Sequence, residues 1–317
     1  MNQLFGHRIT QNKELLQTWV AVRQLYALVD PFFDLPNSQN RVKLDTRDTD
    51  PEFFDQIAWE RVTYEPPYLV AVTLENLDWL LHTLSTERWG VFVLSRLPAS
   101  ELAAHLQKFV ITKGPDGRPY FLRFHDASVL EVLLSTWNET EKRTFFGPID
   151  AFCLPNLDTL DVQLWRNTLP QSDRLAPPPE DCLLSLKESQ LTQCAEAIDR
   201  DLVKLIYWHL RNYHAKSVQH LAKSVLENRV QFAMQRARQY QLSSISDLAG
   251  FTALMFELAP NFDEHPSFRR VLADPALPPE TKMKRLSQVI TDREWDEALE
   301  LYDRKFWQAA QKKNKAG

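Results

Sequence analysis

Between Pro170 and Cys182 the chain reads PQSDRLAPPPEDC, and the hydrophobic rhythm differs on its two sides. Consecutive prolines fix φ and remove backbone donors, so this stretch can form neither a helix nor a sheet interior. Before it, short apolar and β-branched runs alternate with helical stripes. After it, every segment carries helical spacing. Such a chain folds as two lobes of mixed α+β class. The reading is an α/β lobe over 1–169 with a mixed sheet flanked by helices, a linker over 170–186, and an all-helical bundle lobe over 187–317. The length of 317 residues accommodates two domains.

The first lobe is organised around Trp89–Pro148. WGVFVLS predicts a buried strand, and Pro98 can open a helix whose stripe is Leu102, Leu106 and Phe109. Gly114-Pro-Asp-Gly117 is turn chemistry between ITK and PYFLRF and predicts a hairpin. At His125-Asp126 the period changes to helical, with Asp126 placed to cap a helix carrying Val129, Leu130, Leu133 and Leu134. A short helix from Glu139 then runs into Phe145-Phe146-Gly147-Pro148. Around this unit, strands are expected at Leu25–Val29, Tyr68–Val72, Ile149–Leu154 and, as an edge, Leu160–Trp165. Helices are expected at Gln11–Arg23 and Leu74–Leu84, while Phe32–Glu65 is irregular. In the second lobe the helical segments are Lys187–Arg211, Lys216–Tyr240, Ser246–Leu258, Phe268–Leu272, Pro279–Ile290 and Asp292–Gln311.

The ordered motifs "WG…F…S", "DG…YFLRFHD…VL…LL" and "FFGP", with LYALVDPFF and PYLVAV before them, resemble the bacterial family catalogued as domain of unknown function 4123. The resemblance spans Tyr26 to Pro155; the family's common RFYDP reads RFHDA here, with His125 and Ala127 as departures. It implies an adaptor or chaperone that loads a toxic effector onto the type VI secretion spike. The partners implied are the secreted effector and the spike protein VgrG. The residues it singles out are Trp89, Arg96, Arg123, Asp126, Phe146, Gly147 and Pro148.

Composition narrows the alternatives. No apolar run approaches a membrane span, and MNQLFGHRIT has no signal-peptide core, so a cytoplasmic protein is expected. Three cysteines without C-x-x-C spacing fit a reduced compartment. Met1–Leu186 holds 17 Lys and Arg against 25 Asp and Glu, or −8; the remainder holds 20 against 17, or +3, which together restore −5. A +3 balance is too weak for a nucleic-acid footprint. With seven glycines and no G-x-G-x-x-G, Walker or G-x-S-x-G pattern, neither a nucleotide nor any other cofactor is expected.

Chemistry could reside at His125-Asp126, a His–carboxylate pair suited to a general base, supported by Asp30 or Asp34. Against that hydrolase alternative, Asp126 suits a helix cap and Arg123 an internal ion pair. His209, His214 and His220 are spaced by five and six, unlike the i, i+4 geometry of a helical zinc site, so no metal is expected. Arg229, Arg236 and Arg238 could bind an acidic partner or remain solvated. Trp59, Trp79, Trp89, Trp137 and Trp165 read as core, with some left at a docking surface. The expectation is a non-enzymatic interaction protein.

Overall fold

Leu25–Val29 (β1) is buried along its whole length because both its faces are covered. Tyr26 and Leu28 enter one core, and Leu25, Ala27 and Val29 enter another on the opposite face. In the computed structural model β1 is an inner strand of a six-stranded sheet. The described residues are 10–22, 24–30, 52–53, 57–59, 62–64, 67–83, 89–156, 161–168, 184–303 and 305–307. They divide into two compact units, Met1–Asp199 and Arg200–Gly317.

The other strands of the first unit are β2 (Glu52–Phe53), β3 (Ile57–Trp59), β4 (Val62–Tyr64), β5 (Tyr68–Ala71), β6 (Gly90–Ser95), β7 (Ile111–Lys113), β8 (Pro119–Phe121), β9 (Ile149–Asn156) and β10 (Asp161–Arg166). The main sheet runs β10-β9-β6-β1-β5-β2, while β3–β4 and β7–β8 form separate pairs. The mixed sheet expected from sequence is corrected here: every strand pair of the six-stranded sheet among the described residues is antiparallel. Helix α2 (Leu74–Thr83) carries the chain from β5 to β6, which point the same way but flank β1, so neither neighbour pair is parallel. A continuous apolar strand reports burial on both faces, not strand direction.

Helix α1 (Thr10–Ala21) and α2 cover one face, through Leu16, Val20, Leu77, Leu80 and Leu81. The other face is covered by α3 (Ala99–Gln107), α4 (Ala127–Thr136) and α5 (Glu139–Phe146). Their inward stripes include Leu102, Leu106, Leu130, Leu133, Leu134 and Phe145. Each such fully buried side chain contributes about 2 kcal/mol of transfer free energy. Close approach of β6 to β1 needs Gly90, whose φ is +145° and whose added Cβ would lie 1.9 Å from the Leu28 carbonyl oxygen.

Of the expected linker 170–186, only 184–186 are described. Leu184 and Leu186 are buried in the first unit's core, and Ser185 bridges Lys113 of β7. The Leu186 amide donates to the Lys113 carbonyl at 2.8 Å, and the Thr112 hydroxyl donates to the Leu184 carbonyl. Helix α6 (Glu188–Tyr213) follows; its Leu191, Cys194 and Ile198 pack against that core, and the unit boundary falls within it.

The second unit continues with α7 (Ala215–Val218), α8 (Lys223–Gln239), α9 (Ile245–Glu257), a 3₁₀ turn (Phe262–Glu264), α10 (Pro266–Leu272), α11 (Pro279–Val289) and α12 (Asp292–Glu300). The single helix expected over Lys216–Tyr240 is broken into α7 and α8. Arg211 stabilises the break by donating from Nη1 to the Val218 carbonyl at 3.1 Å and from Nη2 to the Leu221 carbonyl at 2.7 Å. The buried stripe of α8 is Leu226, Val230, Ala233, Met234 and Ala237. The cap of α9 is Ser244, whose hydroxyl accepts from the Asp247 amide at 3.1 Å. Helix α12 stops at Glu300 instead of continuing toward Gln311, and residues 308–311 lie outside the described ones. No helix among the described residues is long and apolar enough to cross a membrane.

Candidate functional site

The segment Arg123-Phe124-His125-Asp126 leads from β8 into α4, and its side chains divide between two tasks. Arg123 Nη2 donates to Asp30 Oδ2 at 2.8 Å, and His125 Nε2 lies 3.7 Å from the same oxygen. Phe124 enters the core, edge-on to Phe145 at 5.5 Å. Asp126 Oδ1 accepts from the Ser128 and Val129 amides at 3.0 and 3.4 Å, the cap expected from sequence. Asp30 itself is buried just past β1, and its amide donates to the Trp89 carbonyl at 2.8 Å. Trp89 is buried against Phe92 at 4.8 Å. These contacts tie the end of β1 and the start of β6 to the N-terminus of α4.

A second cluster gathers at the turn from α5 into β9. Phe145 and Phe146 are buried and pack on Phe152, each at 5.3 Å. Gly147 then turns the chain with φ +46° and ψ −117°, a conformation that glycine supplies. His105 Nε2 lies 2.8 Å from the Phe145 carbonyl and so carries the proton there. Burial holds the His105 pKa below 6.5; the carbonyl contact opposes this, and Lys108 adds to the lowering. Asn167 Nδ2 donates to the Gly147 and Ile149 carbonyls at 3.2 and 3.0 Å. Its amide donates to the Asp150 carbonyl at 2.8 Å. Arg96 Nε faces the Asp150 carboxylate at 3.8 Å, with 61% of its side chain exposed. Tyr26 supports the segment after β6 by donating its hydroxyl to the Leu97 carbonyl at 2.7 Å.

The residues singled out by sequence thus fall into two groups. Trp89, Arg123 and Asp126 form the β1–α4 junction with Asp30 and His125. Phe146, Gly147 and Pro148 form the α5–β9 corner beside Arg96. Asp34 lies outside the described residues, so a carboxylate pair with Asp30 has no geometry to report. His105 and Asn167 were not singled out. His105 sits within an ordinary helical stripe, and Asn167 lies just past an edge strand, where no local pattern points to it.

The chemistry open to these groups is limited by access. His125 is 1% exposed and its ring lies against Phe121 and Phe124, so its nitrogens meet protein and not solvent. In the second unit, Arg236 donates to the buried Asp263 at 2.6 Å and to Glu264 at 3.2 Å. Arg229 lies over Trp307 at 4.9 Å. Both guanidiniums are therefore engaged internally, their stems covering the margin of α8. His209 and His214 approach to 5.2 Å between ring centroids, contrary to the spacing argument, because α6 ends at Tyr213 and His214 lies past it. His214 pairs with Glu257 at 2.6 Å. No group of three or more His, Cys, Asp or Glu among the described residues could hold a metal. Cys153 and Cys194 are free thiols pushed up by burial to about 12 and about 11. Cys182 lies outside the described residues, as does the side chain of Trp59.

Residues 25–144 match the family described as Domain of unknown function (DUF4123). The match runs from β1 to α5 and takes in the β1–α4 junction. No curated protein matches the chain. No solved structure matches it either.

Proposed function

We propose that this protein is a type VI secretion adaptor that binds a cognate toxic effector and helps load it onto the VgrG spike. The observation that carries this reading is the DUF4123 match over residues 25–144, which takes in β1, β5, β6 and the β1–α4 junction. The geometry supports it from a second direction. Three of the motif residues in that span serve the fold: Asp126 caps α4, Arg123 pairs with Asp30, and Trp89 is buried. A lobe built this way presents a rigid surface, and Arg96 is the motif residue standing furthest into solvent. On this reading the first lobe makes contacts common to the family, and the second supplies effector specificity. The protein acts without catalysis and without a cofactor, in the cytoplasm.

The rival reading is a hydrolase centred on His125, and it draws on the 3.7 Å approach of His125 to Asp30. Burial of His125 weighs against it, because a general base must come within hydrogen-bond reach of substrate. Tagged full-length protein, recovered from its native cytoplasm at moderate salt, tests the proposal. Near-stoichiometric recovery of an effector together with VgrG supports adaptor function. Recovery of the protein alone, even at low salt, overturns it and directs attention to hydrolysis assays with a His125→Ala control.

A further inference from the structure

Helix α12 carries an apolar and an acidic row side by side. Leu299 is 50% exposed, and just past the helix Leu301 and Tyr302 are 42% and 47% exposed. Beside them, Asp292, Asp296 and Glu300 are exposed at spacings of four, which places their carboxylates in one row about 12 Å long. The other two acids of the helix are engaged within the unit. Glu294 completes a capping box with Thr291 and accepts from the Ser267 hydroxyl, while Glu297 pairs with Arg293 at 2.8 Å. Ala298, on the inward face, is buried, and Trp295 packs edge-on to Phe268 at 4.7 Å. The helix is therefore anchored by one side and displays the other.

That displayed side is not what isolated helix stability would select. Like charges four residues apart repel, and Glu300 places a carboxylate at the negative end of the helix dipole. Exposed Leu299 and Tyr302 add apolar area next to that row. Both features are relieved by one kind of occupant, which covers the apolar row while setting positive charge against the carboxylates. We propose that the acid-edged apolar face of α12 receives a basic amphipathic helix of a partner protein. Its lysines or arginines lie on Asp292, Asp296 and Glu300, and its aliphatic side chains lie on Leu299 and Tyr302. Identifying that partner as the effector rests on the adaptor reading; the recognition chemistry does not.

The test uses full-length protein and a fluorescent synthetic peptide of about 18 residues, helical, with leucines on one row and lysines at i, i+4 and i+8 on the next. Saturable binding is expected, weakening as salt rises. Asp296→Lys with Glu300→Lys should weaken it at least about tenfold and create binding for the same peptide with glutamates in place of lysines. Leu299→Ser should weaken both peptides. Circular dichroism and urea unfolding establish that these surface variants fold. Equal binding of the lysine peptide to wild type and charge-reversed protein overturns the proposal. So does binding that emerges only when residues 308–317 are deleted, because the chain's own lysine-rich end is then the occupant. Co-purification separates this inference from the adaptor reading. If wild type and charge-reversed protein recover effector and VgrG equally, adaptor function stands and the α12 face falls. If wild type recovers neither but binds the lysine peptide through α12, the face stands and the adaptor reading falls.

Discussion

The imidazole of His105 lies directly over Gly147, where a side chain would be: a Cβ built on Gly147 would come within 2.4 Å of the ring. The same ring holds the Phe145 carbonyl at 2.8 Å, so helix α3 fixes the turn from α5 into β9 by filling the space that glycine leaves. Gly147→Ala is expected to cost about 2–3 kcal/mol, from the positive φ and the clash together. His105→Ala combined with Gly147→Ala should recover part of that cost, because it removes the clash and leaves the backbone strain. Urea unfolding of the four proteins in the cycle measures the coupling, and additive costs would show that the ring and the glycine are independent.

His105 also makes the stability of the first unit depend on pH in one direction. Burial favours its neutral form, so the folded pKa lies below that of the unfolded chain, near 6.5. Between the two values the unfolded chain binds more protons, and stability therefore rises with pH. The contribution is complete above about pH 6.5 and is lost as pH falls toward and through the folded value. The unfolding midpoint should drop from about pH 7.5 to about pH 5.5, and His105→Gln should reduce that drop. An equal drop in the variant would assign the pH dependence to other groups.

The Arg123–Asp30 pair should behave asymmetrically. Arg123→Met leaves a buried carboxylate without its 2.8 Å cationic partner and is expected to cost about 2 kcal/mol, a value moderated by the partial exposure of Arg123. Asp30→Asn leaves a half-exposed arginine that water can solvate, so about 1 kcal/mol is expected. Denaturant unfolding of both singles and the double resolves the order. Equal costs would mean that burial of Asp30 does not govern the energetics of the junction.

Local chemistry made much of this legible from the residues alone. The Asp126 cap, the Gly114–Gly117 hairpin and the apolar runs of β1 and β6 each follow from neighbours in sequence, and each is present. Strand direction was not legible, because an antiparallel sheet covered on both faces has the same apolar signature as a parallel one. The break between α7 and α8 was hidden because Arg211, from the preceding helix, supplies the donors that stabilise it. Asn167 was invisible for a related reason: its role is to bind carbonyls some twenty residues earlier, and no periodicity records that. Family resemblance located the FFGP corner, while the reason glycine is required there, the His105 ring, came only from the packing.

Arg96 offers the most direct test of where the first lobe meets a partner. Its side chain is 61% exposed and faces the less exposed Asp150 at 3.8 Å, a long and partly solvated pair that contributes little to stability. Arg96→Glu should therefore change unfolding free energy by no more than about 0.5 kcal/mol. It reverses charge on the surface beside the corner formed by Phe146, Gly147 and Pro148. If that surface docks VgrG or the effector, recovery of that partner from the native cytoplasm should fall about tenfold and the residual binding should lose salt sensitivity. Arg96→Lys keeps the charge and should retain most of the recovery, which separates loss of charge from loss of guanidinium geometry. Recovery unaffected by Arg96→Glu, with the fold intact, would exclude this corner as the docking surface and leave Arg96 a solvated partner of Asp150.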